Sequence, residues 1–137
     1  MRYLTLLVLF ILTSYPREVI PTFKSIHPKL QTYYNEFIQL TGHVNTSEVI
    51  LVEFSGLMPK NVLGMAIGMD ADATVLIKIN TKSWSELSGN QQWWLVMHEL
   101  SHDILNWRHG KNRLMYTPMP WFVSDLMIAE AKRDLRK

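Results

Sequence analysis

Two histidines four residues apart, His98 and His102, constrain the fold of this 137-residue chain more than any other feature. On an α-helix, residues at this spacing share one face, one turn apart, so two imidazoles can hold the same metal ion. Glu99 completes a His-Glu-x-x-His pattern, and a helix places its carboxylate about a third of a turn around, near a water on the metal. The pattern predicts a metal-bearing helix.

The residues around this motif also favour a helix. Ser88 and Gln91 have the spacing of a capping box, and the continuous apolar run 93–97 predicts a buried helix. Asn106 is expected to end the helix, because asparagine tolerates the left-handed conformation common at helix ends. If the chain then folds back, His109 is the natural third ligand.

The composition limits which ligands and metals are available. The chain has no cysteine, so a metal must be held by His, Asp or Glu side chains. Three histidines and a water suit a single Zn²⁺ ion in a tetrahedral catalytic site, although a His triad does not exclude other metals. Glu99 would accept a proton from the water and pass it to the departing amine. We therefore predict zinc-dependent hydrolysis of peptide bonds.

At these residues the chain resembles the zincin metallopeptidases, in particular the metzincin branch. Metzincins carry His-Glu-x-x-His-x-x-Gly-x-x-His on a helix, followed by a tight turn that contains a methionine; here Met115 is the candidate. The likeness is greatest to short bacterial and phage metallopeptidases that have one extra residue before the glycine. It covers about residues 28–120. Asn106 stands in place of the glycine, and the extra residue changes the angle at which His109 returns.

The resemblance implies an α+β fold: a small zincin-like domain with a mixed, mostly short-stranded sheet, an active-site helix, a methionine turn and a C-terminal helix. It also implies a peptide or protein substrate that pairs with an edge strand. The candidate edge is 62–68, where Gly64 and Gly68 would allow close approach.

Two carboxylates are alternative third ligands to His109. Glu130 and Asp134 are similar to the Glu-x-x-x-Asp of the gluzincin branch, in which the glutamate is the third ligand. Asp103 is the other alternative, or else a supporting or surface carboxylate. Tyr116 follows Met115 and would touch the metal or the developing oxyanion, as in some metzincins, or pack at the core or rim.

Apolar periodicity and turn residues predict the remaining elements. Asp70 and Asp72 are interpreted as a solvated turn and not as a calcium loop. The C-terminal helix is expected to align Phe122, Leu126, Ala129 and Arg133. The predicted elements are a helix from Pro28 to Gly42, strands at 49–54, 62–68 and 74–80, the metal helix from Ser88 to Asn106, and a helix at 121–137.

The N-terminus predicts the cellular location. Residues 1–15 combine one positive charge with about ten apolar residues, as in a secretory signal peptide, which implies a secreted or periplasmic protein. The alternative is an uncleaved membrane anchor. Residues 16–27 are interpreted as a linker and 28–137 as the metallopeptidase domain. The net charge of +2 predicts no nucleic-acid partner.

Two other functions are consistent with the sequence. One is a metal-binding protein without catalysis, which would have no need of Glu99. The other is an interaction module tethered to a membrane by its apolar N-terminus. Retention of Glu99 favours the enzyme.

Overall fold

The computed structural model describes residues 17–67 and 74–137. Within these ranges the chain forms a small α+β domain with a mixed sheet, as predicted. The sheet has four strands and the described residues form four helices, one more of each than the sequence predicted. The elements are β1 (Phe23–Ile26), α1 (Pro28–Thr41), β2 (Val49–Ser55), β3 (Gly64–Ile67), β4 (Thr74–Asn80), α2 (Thr81–Trp84), α3 (Gly89–Leu105), a 3-10 turn (Arg113–Met115) and α4 (Asp125–Leu135).

Three predictions concern residues that the structure does not describe. The signal peptide or anchor at 1–15, Gly68, and the turn with Asp70 and Asp72 lie outside the described residues. In the part of the chain that is described, no helix is both long and apolar enough to cross a membrane.

The sheet has the order β1-β2-β4-β3, with β1, β2 and β4 parallel and β3 antiparallel at one edge. β2 buries only alternate residues, Ile50 and Val52. The opposite face carries an ion pair between Glu53 and Lys78, with Nζ and Oε1 3.7 Å apart. The sheet therefore has one face covered by the helices and one open face.

The interpretation of 16–27 as a linker is wrong for its last third. Residues Phe23–Ile26 form β1, which pairs in parallel with Val49–Val52. The side chains of Phe23, Lys24 and Ser25 are all exposed, so this strand has no alternation of buried and exposed residues. Backbone pairing holds it in the sheet, and a side-chain pattern could not reveal it.

α1 begins and ends where predicted. Pro28 lies in the first turn, and Gly42 ends the helix in the left-handed conformation at φ 62°. Leu30, Tyr34 and Phe37 are buried against the rest of the core.

α3 crosses the domain between α1 and the β3–β4 side of the sheet. The capping box of Ser88 and Gln91 is present, and Asn106 ends the helix in the left-handed conformation at φ 52°. All five residues of the run 93–97 are buried, as predicted. The helix that carries His98 and His102 is therefore held by its two ends and by its buried middle.

The C-terminal helix is shorter than predicted and presents a different face to the core. It begins after Ser124, whose side chain accepts a hydrogen bond from the Met127 backbone N–H. Phe122 and Leu126 were expected in the apolar stripe, but they are 61% and 69% exposed. The buried residues are Ala131 and Leu135, and the partly buried Met127 and Ile128 pack against the core beside them. This is the face that α4 turns toward α1 and α3.

This corrected face predicts opposite results for two leucines of α4. Leu135→Ala is expected to lower the free energy of unfolding by about 2–3 kcal/mol, because it leaves a cavity in the core. Leu126→Ala should change it by less than about 0.5 kcal/mol, because its side chain is in solvent. Urea unfolding of both variants measures this, and equal losses would contradict the observed face.

Candidate metal centre

Three imidazole rings meet at the C-terminal end of α3. The Nε2 atoms of His98 and His102 are 3.0 Å apart, and those of His98 and His109 are 3.3 Å apart. His102 and His109 complete the triangle at 2.9 Å. The three residues lie close enough to hold one metal ion.

The loop after α3 brings His109 back to the helix. Asn106 turns the chain, and the backbone N–H of Trp107 then donates to the Ser101 carbonyl at 3.1 Å. Gly110 has φ +84°, a conformation that favours glycine, and its N–H donates to the Met115 carbonyl at 3.0 Å. These bonds close the loop, so His109 reaches the other two rings despite the extra residue.

Two of the rings are oriented by backbone carbonyls. The Nδ1–H of His98 donates to the Leu114 carbonyl at 2.8 Å, and the Nδ1–H of His102 donates to the Trp107 carbonyl at 2.7 Å. Each ring then carries its proton on Nδ1 and turns an unprotonated Nε2 toward the centre. Backbone carbonyls orient metal-binding histidines in the same way.

This arrangement fits a cation between the rings. Lone pairs that face each other at 3.0 Å have no proton to share and repel, and a metal ion removes that repulsion. In a tetrahedral site with metal–nitrogen bonds of about 2.0–2.1 Å, ligand nitrogens lie about 3.3 Å apart. The observed separations of 2.9 to 3.3 Å are close to this value.

The electrostatics of the rings also favours their neutral form. Burial lowers the pKa of His98 to about 4, with smaller contributions from His102 and His109, while the hydrogen bond to Leu114 acts in the opposite direction. Burial likewise lowers the pKa of His102, opposed by its bond to Trp107. Neutral imidazoles are the form that binds metals.

Glu99 lies beside the histidines in a cavity of about 280 Å³. The residues that line it are Asn61, Val62, Leu63, Gly64, Trp94, Leu95, His98, Glu99, His109, Tyr116, Thr117, Pro118 and Met119. Glu99 is 7% exposed. Burial raises its pKa to about 7, although a hydrogen bond from the Ala66 backbone lowers it in part. A carboxylate so placed can take up and release a proton near neutral pH.

Gly64 has a role that the sequence did not indicate. A Cβ atom there would lie 2.9 Å from Glu99 Oε1 and 3.0 Å from Leu95 Cδ1. The close approach that glycine permits is therefore between β3 and the Glu99 side chain. The 62–68 strand does form the sheet edge, as expected, with observed bounds Gly64–Ile67.

The two alternative carboxylate ligands have other partners. Glu130 forms an ion pair with Arg113, with Oε2 and Nη1 3.0 Å apart. Asp103 is buried and accepts a hydrogen bond from the Leu76 backbone N–H at 2.9 Å, which ties α3 to β4. Burial raises the pKa of Asp103 to about 6, opposed by that bond. The cluster in the described residues is formed by the three histidines without either acid.

The two residues after the loop differ in environment. Met115 is fully buried, whereas Tyr116 is 57% exposed and lines the cavity.

Sequence reasoning missed the carbonyls of Trp107 and Leu114, because a backbone group has no sequence signature.

Comparisons with protein families, with curated proteins and with solved structures found no match to this chain. The interpretation of the site therefore depends on its own geometry.

Because Gly64 lies so close to Glu99, we expect a single methyl group at position 64 to destabilise the fold. Gly64→Ala should lower the free energy of unfolding by about 1–3 kcal/mol, because Glu99 or Leu95 must move. Gly56→Ala is the matched control, since a Cβ at Gly56 meets nothing within 4 Å. Affinity for Zn²⁺ should stay unchanged in both variants, because neither glycine touches the histidines. Equal unfolding energies for the two variants would contradict the contact.

Proposed function

We propose that the protein is a zinc-dependent peptidase of the zincin type, which hydrolyses peptide bonds. One observation carries the proposal. Three Nε2 atoms within 3.3 Å of one another converge next to a buried carboxylate, Glu99, that lines the same cavity as His98 and His109. A site that only stores a metal has no use for a proton acceptor at this place.

His98, His102 and His109 would hold the ion, and zinc suits three neutral imidazoles with a fourth position left for water or substrate. When bound, it supplies Lewis-acid polarisation of water and of the substrate carbonyl. Glu99 accepts the proton of the attacking water and then donates it to the nitrogen of the departing amine. The Ala66 N–H, which bonds to the Glu99 carboxylate, holds that side chain in place for both transfers.

The substrate would bind as an extended chain along β3. The Asn80 N–H donates to the Leu63 carbonyl at 2.8 Å, so the backbone groups of Leu63 face β4. By the alternation of an antiparallel pair, the backbone groups of Gly64 and Ala66 face the outer edge. The Ala66 N–H bonds to Glu99 there, so the Gly64 groups and the Ala66 carbonyl are the ones that would pair with a peptide. This edge runs past Glu99 and can pair with a peptide by strand addition.

Replacing Glu99 tests the chemistry separately from the metal. Glu99→Gln should lower kcat for peptide cleavage by about 10²–10⁴-fold, because the amide cannot accept the proton. The zinc content should stay at that of the wild type, since the three imidazoles are retained. Glu53→Gln, on the open face of the sheet, is the matched control and should cleave as the wild type does.

The assay uses a mixture of unstructured peptides, with products identified by mass spectrometry and zinc measured in the same samples. Cleavage that persists in zinc-loaded Glu99→Gln would rule out this mechanism. A zinc-loaded wild type that cleaves no peptide would favour a metal-binding protein without catalysis.

A further inference from the structure

Three large apolar side chains near the start of α4 face solvent. Trp121 is 91% exposed, Phe122 is 61% exposed and Leu126 is 69% exposed. The rings of Trp121 and Phe122 are 6.0 Å apart. We call these three residues the aromatic patch. Aromatic side chains are enriched where proteins bind partners, and an exposed cluster of them marks an interaction surface.

The backbone that carries the patch is held firmly to the start of α3. The Gln91 side-chain amide donates to the Trp121 carbonyl at 2.8 Å. The Asn90 amide donates to the Val123 carbonyl at 3.0 Å and to Asp125 Oδ1 at 2.9 Å. The aromatic rings are therefore presented to solvent from a fixed backbone.

The backbone of the patch is bonded to the stripe of α3 that leads to the cavity of the metal centre. Gln91, Leu95 and His98 follow one stripe of α3, and Leu95 and His98 line that cavity. The segment 116–119, just before the patch, lines it as well. His98 follows Gln91 by seven positions, so Gln91, which bonds to the Trp121 carbonyl, lies about 10 Å from His98 along the helix axis. An extended peptide spans this distance in about three residues.

The patch and Val19 lie at opposite ends of the sheet. Asp103, near the end of α3, bonds to Leu76 near the start of β4, so α3 runs opposite to β4. The start of α3 and the patch therefore lie at the end of the sheet where β4 finishes. Val19 bonds to Asn45 just before β2, at the other end of the sheet.

We propose that the aromatic patch binds an apolar side chain of the peptide substrate, about three residues from the cleaved bond on the side toward the start of α3. The inference rests on the proposed peptidase function, and it names the substrate class: extended peptides with a large apolar residue at that distance. Binding there adds affinity without touching the reacting atoms, so it should act on KM and not on kcat.

The test compares two labelled peptide mixtures with the same randomised centre. One has leucine and phenylalanine at the third and fourth positions from the centre on both sides, and the other has serine there. Wild type, Trp121→Ser/Phe122→Ser and the control Phe23→Ser are loaded with zinc. Phe23 is 52% exposed on β1, the opposite edge strand. Binding is measured by fluorescence anisotropy in the Glu99→Gln background, and cleavage is measured with Glu99 intact.

Wild type and Phe23→Ser should bind the apolar-ended mixture at least about tenfold more tightly than the serine-ended one, because a large apolar side chain gains affinity when it leaves water. The double variant should lose this preference, with a matching rise in KM, and keep its kcat and zinc content. The anisotropy result stands even if no peptide is cleaved, so failure of the peptidase proposal is seen separately.

Equal preference in the double variant and the wild type would overturn the inference. It would also be overturned if the double variant kept the preference but lost binding to phosphatidylglycerol vesicles, which would identify the patch as a membrane contact. Conversion of a wild-type dimer to a monomer in the double variant, with the preference retained, would instead identify a contact between two copies of this chain.

Discussion

The site depends on two hydrogen bonds that fix where the histidines carry their protons. The carbonyls of Leu114 and Trp107 hold the Nδ1–H groups of His98 and His102 at 2.8 and 2.7 Å. With those protons in place, the two Nε2 lone pairs face each other across 3.0 Å, and His109 adds a third nitrogen. Such an arrangement is unfavourable by itself and becomes favourable around a cation. The loop that supplies both carbonyls and His109 is therefore part of the metal centre.

Much of the domain serves to hold α3 against that loop. The capping box starts the helix, the buried run 93–97 packs it in the core, and Asp103 ties its far end to β4. Glu99 is the point at which the helix and the sheet edge meet, because Gly64 lets β3 approach its carboxylate. Displacing β3 would thus disturb both Glu99, the proposed proton acceptor, and the proposed substrate edge.

Features with a local physical cause could be predicted from the sequence. The His98–His102 spacing, the Ser88 cap and the Asn106 stop each follow from helix geometry, and His109 does reach the other two rings. The strand β1 could not be predicted, because its backbone pairing leaves no apolar period in Phe23–Ile26. The predicted buried face of α4 was wrong, because packing against α1 and α3 decides which of its apolar residues turn inward, and spacing alone does not reveal it. The role of Gly64 needs the tertiary contact with Glu99, which no local pattern contains.

X-ray absorption of the zinc-loaded protein tests directly whether His98, His102 and His109 hold one ion together, because it counts the imidazole ligands on the metal. We expect three imidazole nitrogens at about 2.0–2.1 Å in the wild type, with one oxygen ligand from water. His109→Ala should show two imidazoles. His43→Ala, just after α1 and outside the cluster of three histidines, should still show three. A wild-type spectrum with only two imidazoles, or a spectrum unchanged by His109→Ala, would show that His109 is not the third ligand.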